Sequence, residues 1–249
     1  MIRARKKIYF KRLLLCWLLT SATHAAAWQT LAPGIEYDTL DPQPLSQWSH
    51  IHVFRIDLHH NQLGIVLAKD LPKNYTSAQT FGQHSQALIA LNGGFFNPNK
   101  VPLGLRLSDH QILNPLKRIS WWWIFSIKQY TAAITSPYEF RRQNSSDFAI
   151  QAGPRLLIAG KIPALKPGFA NRSALGIDTQ GRILIVVTEN LPMTTTDLAY
   201  TLKNAPLNCV DALNLDGGSS SQLYANMPNF KLNVPGFAQV SDAIVVKPR

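Results

Sequence analysis

Cysteine and glutamate are both scarce in this chain. There are two cysteines, Cys16 and Cys209, and three glutamates, Glu36, Glu139 and Glu189. Two cysteines this far apart, the first inside a basic and apolar leader, exclude a disulfide-framed fold. Stability must then come from a hydrophobic core, which the 46% apolar composition can supply. No apolar run reaches the ~20 residues of a membrane-spanning helix. A Gly-x-Ser-x-Gly nucleophile elbow is also missing, which removes the usual serine-hydrolase signature. Internal repeats, low-complexity stretches and linkers are absent, so the chain reads as a single domain.

Acidic charge is sparse as well, with 14 acids against 25 bases and a net charge of +11. Much of that excess sits at the start. Arg3, Arg5, Lys6, Lys7, Lys11 and Arg12 precede an apolar stretch at 13–19 and a run of small residues ending at Ala27. This is the pattern of a secretory signal, expected to span 1–27 and to be cleaved before Trp28. Leu15 stands before Cys16 where lipidation wants a small residue. Removing the leader leaves 19 bases against 14 acids, a net charge of +5, and its basic residues are scattered. That distribution does not indicate a nucleic-acid partner. The expectation is an exported protein, periplasmic or extracellular, without a stable membrane span, and with Cys209 packed as a small apolar side chain.

Alternation predicts paired strands at 51–58 and 63–68, and a hairpin joining 103–107 to 111–113. Further strands are expected at 87–91, 121–127, 130–135, 148–152, 155–159 and 243–246. The clearest hairpin runs from 173–177 through a turn at Asp178 to 183–188. Helices are expected at 77–86, with Ser77 as N-cap, and at 194–203, capped by Thr194 or Thr195 with Asp197 in the first turn. Strands outnumber helices and follow one another directly. The predicted class is α+β, with mixed or antiparallel sheets and a few packed helices.

Two glycine loops follow apolar runs, Asn92-Gly93-Gly94-Phe95-Phe96 and Leu215-Asp216-Gly217-Gly218-Ser219-Ser220-Ser221. A strand that delivers a carboxylate into such a loop makes a site for a phosphate or sugar. Asp216 is the first candidate for catalysis, against the alternative of an Asx turn that merely shapes the loop. Glu189 is the second, because it ends an apolar strand, against an ordinary exposed strand end. Arg172 offers a planar fork of donors for phosphate or sugar hydroxyls, unless it pairs with Asp178 or Glu189. Asn92 either orients sugar hydroxyls or caps its own turn. Gly93, Gly94, Gly217 and Gly218 are candidate backbone donors, and Ser219, Ser220 and Ser221 hydroxyl donors. His50 and His52 share a strand face without an acidic cluster to complete a metal site. The sequence requires no cofactor, although a cation such as calcium, held by carboxylates and carbonyls, stays open. Among Trp121, Trp122 and Trp123, alternation sends the middle ring to the opposite face, which leaves one face for core and the other for sugar stacking or an envelope contact.

Taken in order, the Asn92 loop, Gly153-Pro154, Arg172-Ser173-Ala174-Leu175-Gly176, Val187-Thr188-Glu189 and the Asp216 loop resemble the phosphodiester glycosidase family over about 51–246. Ser219 stands where that family commonly carries a third glycine. The resemblance implies a domain at 28–249 that hydrolyses a sugar 1-phosphodiester, with an N-acetylglucosamine-like sugar, in envelope or extracellular glycan. It implies Asp216 and Glu189 as the catalytic carboxylates and the loop residues and Arg172 as the substrate contacts. The competing expectation is a non-catalytic envelope module that binds phosphorylated glycan or acts in exopolysaccharide assembly.

Overall fold

A computed structural model describes residues 28–41, 47–71, 76–142 and 145–249. The expected leader lies outside the described residues. Within them, three antiparallel sheets surround one core, with a few short helices on the outside. The fold is α+β, and no helix among the described residues is long and apolar enough to cross a membrane.

The sheet that positions the site has seven strands. In order across the sheet they are Gln29–Ala32, Ile35–Thr39, His50–Ile56, Ile183–Glu189, Ser173–Asp178, Cys209–Asn214 and Arg155–Leu157. Its central strands are buried on both faces, which is why Ile183–Glu189 reads as a continuous apolar run. One face, bearing Phe54, Ile185, Leu175 and Leu213, packs against Phe125, Phe148 and Ile150 of a second sheet and Leu91, Leu223 and Ile244 of a third. The other face, bearing Val53, Val186, Ala174 and Ala212, is covered by Leu198 and Leu202 of the helix Thr195–Lys203. Thr194 and Asp197 close that helix with a capping box. Ser77 caps the helix Ala78–Ser85 as expected, its side chain accepting from Thr80 N–H.

The expected pairing of the strands near 51–58 and 63–68 does not occur. His50–Ile56 sits between Ile35–Thr39 and Ile183–Glu189, whereas Asn61–Leu67 pairs with Asp242–Pro248 in another sheet. Alternation identifies a half-buried strand but not its neighbour, and the turn between these two carries the chain from one sheet to the next. Cys209 is buried, and burial pushes its thiol well above the usual range. The strand that contains Trp123 begins at that residue, so Trp121 and Trp122 belong to the preceding turn and alternation does not govern them. Trp122 is buried against Phe95, while Trp121 stays half exposed.

Candidate active site

One end of the seven-stranded sheet gathers the sequence candidates. Register places His52 opposite Val187 and Val187 opposite Ser173, and the next residues along these strands are the ones singled out above. Glu189 terminates its strand two residues beyond Val187. Arg172 immediately precedes Ser173, and Asp216 follows the last residues of the neighbouring strand. The strands bearing Glu189 and leading to Asp216 are separated by one other, so their backbones stand roughly 10 Å apart.

The two glycine loops are tied together by Asn92, which is fully buried. Its Nδ2 donates to the carbonyls of Asp216 at 2.8 Å and Gly93 at 3.2 Å. Its Oδ1 accepts from Ser173 Oγ at 2.7 Å and Gln222 N at 3.2 Å. All four hydrogen-bonding positions of the amide are therefore taken by protein. Asn92 fixes the loops on which other residues act.

Three of the four candidate glycines have their N–H groups taken by the protein. Gly93 N–H is bonded to the carbonyl of Asp242, Gly217 N–H to Asp216 Oδ1 and Gly218 N–H to the carbonyl of Asn171. A Cβ on Gly93 would lie 2.0 Å from Asp242 Oδ2, and one on Gly217 would lie 2.9 Å from the carbonyl of Asn171. Gly218 takes φ +63, the left-handed region that glycine adopts without strain. Under the first loop lies a pair that the sequence reading missed. Arg106 and Asp242, both wholly buried, meet at 2.6 Å between Nε and Oδ2. The same guanidinium donates to the carbonyls of Phe95 and Gln151.

Asp216 is half-buried, and burial pushes its carboxyl above the ordinary carboxylate range. Hydrogen bonds from Ser220 and from Gly217 N–H oppose that shift by stabilising the charged form. Ser220 is buried beneath the loop, and Ser219 is exposed on it.

Arg172 has neither of the carboxylate partners that the sequence offered. Asp178 is bonded to Arg182 at 2.8 Å, and Glu189 to His52 at 3.0 Å. Arg172 is 9% exposed and has no ion pair among the described residues; burial pushes its guanidinium down. Nε donates to the carbonyl of Met193 at 2.8 Å, and Nη2 donates to the carbonyl of Gly168. Its Nη1 lies 4.0 Å from where a Cβ on Gly217 would stand. The backbone is pinned at the same point, because Arg172 N–H donates to the buried Thr188 Oγ1 at 2.8 Å.

Glu189 is buttressed by two residues to which the sequence reading gave no role beside it. His52 Nε2 contacts Glu189 Oε2, and Tyr37 Oη contacts His52 Nδ1 at 2.9 Å. The alternation of His50–Ile56 already sends His52 to the same face as Phe54 and Ile56, so its burial was legible; its partner was not. His50 takes a separate acid, Asp41, at 2.9 Å.

A family model described as phosphodiester glycosidase matches residues 85–247. No curated protein matches the chain. Among solved structures, the catalytic domain of zebrafish N-acetylglucosamine-1-phosphodiester alpha-N-acetylglucosaminidase, auto-inhibited by its pro-peptide, has a TM-score of 0.66 at 16% identity. That similarity covers 90% of this chain and 87% of the zebrafish domain. A hypothetical protein from Synechocystis has a TM-score of 0.66 at 18% identity, over 90% of this chain and 64% of that one. A protein from Burkholderia pseudomallei K96243 described as exported has a TM-score of 0.54 at 13% identity, over 80% of this chain and 74% of that one. At these identities the three structures share the fold with this chain.

Proposed function

The chain belongs to the phosphodiester glycosidase family, and from that premise we propose that it is an exported hydrolase that cleaves a sugar 1-phosphodiester bond in envelope or extracellular glycan. An N-acetylglucosamine-like sugar is the unit released. The observation that carries this reading is Arg172. This nearly buried guanidinium has carbonyls on Nε and Nη2 and no carboxylate partner among the described residues, so its charge is left for an anion, and its Nη1 stands beside the Asp216 loop. A phosphate oxygen is the group that such a fork of donors suits.

The chemistry asked of the site is narrow. When the bond from the anomeric carbon to oxygen breaks, its electron pair leaves with the phosphate monoester, a stable anion that needs little protonation. Arg172 and the exposed Ser219 hydroxyl hold that anion. Asp216, whose proton affinity is raised by burial, takes the proton of the attacking water or attacks the anomeric carbon itself. Glu189 faces the oxocarbenium-like centre as a fixed negative charge. Asn92, Gly93, Gly94, Gly217, Gly218 and Ser220 set the loop geometry on which this depends.

Release of free N-acetylglucosamine from UDP-N-acetylglucosamine or a synthetic phosphodiester is the direct assay. Wild type turns over, and Asp216→Asn, with an unchanged circular dichroism spectrum, loses about 10²–10⁴-fold in kcat. Full turnover in that variant would remove the assignment. Glycan binding without turnover of any capped sugar would identify the non-catalytic module instead.

A further inference from the structure

Glu189 ends its strand on the face that Ile185 and Val187 direct into the main core, and the neighbouring strands bring two polar side chains to the same face. His52 belongs to the adjacent strand and Tyr37 to the strand beyond it, with Thr39 opposite His52 and His52 opposite Val187. The contacts run in line: Tyr37 Oη to His52 Nδ1 at 2.9 Å, then His52 Nε2 to Glu189 Oε2 at 3.0 Å. His52 is 4% exposed, so water cannot readily replace either partner.

The proton positions follow from the chemistry of each group. Burial, followed by the charges of Asp41, Asp38 and Glu189, pushes the Tyr37 phenol upward, so it keeps its proton and donates. A ring nitrogen that accepts is unprotonated, which leaves the His52 proton on Nε2. There it donates to the carboxylate. Burial also holds the imidazole neutral, against the pull of Glu189; the other charged groups near it are His50, whose ring lies 5.5 Å away, and Asp41 bonded to His50. The opposite tautomer would set a lone pair of Nε2 against the carboxylate and leave the phenol without an acceptor.

We infer that Tyr37 and His52 are positioning residues. They hold Glu189 by Oε2 in one orientation and leave Oε1, which has no hydrogen-bond partner among the described residues, to face the substrate. This rests on the reading of Glu189 as a group that acts on the sugar. Both residues lie before the segment matched by the family model, so this support comes from strands outside that segment. A carboxylate on the last residue of a strand has rotamers to spare, and a neutral donor fixes one of them without neutralising its charge.

Side-chain nitrogen NMR of His52, combined with kinetics on the capped sugar, tests the arrangement. Wild type near neutral pH shows the Nε2–H tautomer, and Tyr37→Phe, which removes only a hydroxyl, keeps that tautomer through Glu189 but shifts the Nδ1 resonance, because the accepting nitrogen loses its donor. Misplacing a reacting group costs about 100-fold, so His52→Leu lowers kcat by about that factor with little change in KM, and His52→Gln, which can still donate, recovers part of the loss. An Nδ1–H tautomer or an imidazolium in the wild type would overturn the inference. So would a fully active His52→Leu alongside an inactive Glu189→Gln. A fully active Glu189→Gln would instead overturn the role given to Glu189, and the positioning with it, whatever the NMR shows.

Discussion

Asp216 is held between opposing influences, and their balance sets the pH range in which it can act. Burial disfavours its charge and raises its proton affinity, while the Ser220 hydroxyl and Gly217 N–H favour the carboxylate. If Asp216 works as base or nucleophile, activity requires the ionised form and falls as pH drops through its pKa. The acid limb of kcat/KM therefore lies above the ordinary carboxylate range. Ser220→Ala removes a group that lowers the pKa, so the limb moves further up in pH while the plateau at higher pH is retained. A pH profile of the two proteins side by side checks the sign. A limb that moves down, or does not move, would mean that Asp216 does not control it.

At the level of the elements, the Gly93 loop has its shape because a buried ion pair occupies the space beneath it. Arg106 and Asp242 are both fully removed from water, and Ser241 Oγ supports the carboxylate from the side. Breaking such a pair from one side leaves an uncompensated charge, so Asp242→Ala should cost about 3–5 kcal/mol in urea unfolding. The double variant Arg106→Met with Asp242→Leu should cost less than the two single losses combined, because it strands no charge. None of this was legible in the sequence. The two residues lie 136 positions apart, and Asp242 begins a strand where a polar residue is unremarkable. What was legible had local causes: the capped helix at Thr195–Lys203, the hairpin around Asp178, and the glycine loops after apolar runs. The partners of Asn61–Leu67 and of Glu189 were not, because pairing across sheets is fixed by long-range packing.

Over the whole molecule, exposed apolar rings are distributed unevenly. Among the described residues, the exposed phenylalanines and tryptophans are Trp48, Trp121, Phe169 and Phe237. Each is tied to the site. The Trp48 carbonyl accepts from Asn190, next to Glu189. Phe169 lies between Gly168, bonded to Arg172, and Ala170, whose Cβ lies 4.0 Å from a Cβ built on Gly218. Phe237 N–H donates to the Ser219 carbonyl at 2.9 Å, and Trp121 stands edge-on to Phe95 at 5.8 Å. Of the exposed tyrosines, Tyr130 stands in the turn between Trp123–Lys128 and Thr131–Thr135, Tyr138 on the helix Pro137–Arg142 and Tyr200 on the helix Thr195–Lys203. Rings presented singly from separate loops suit the C–H faces of successive sugars better than a lipid chain, which needs a continuous apolar patch. A substrate longer than one sugar would use them, and a short phosphodiester would not. Phe237→Ala and Trp121→Ala should each raise KM for an oligosaccharide phosphodiester about 10-fold, the loss of ~1.4 kcal/mol of stacking. KM for UDP-N-acetylglucosamine should stay within about two-fold, since that loss belongs to uniform binding of the extended chain. Equal losses on both substrates would place these rings in the loop structure, and equal indifference would leave them without a part in binding.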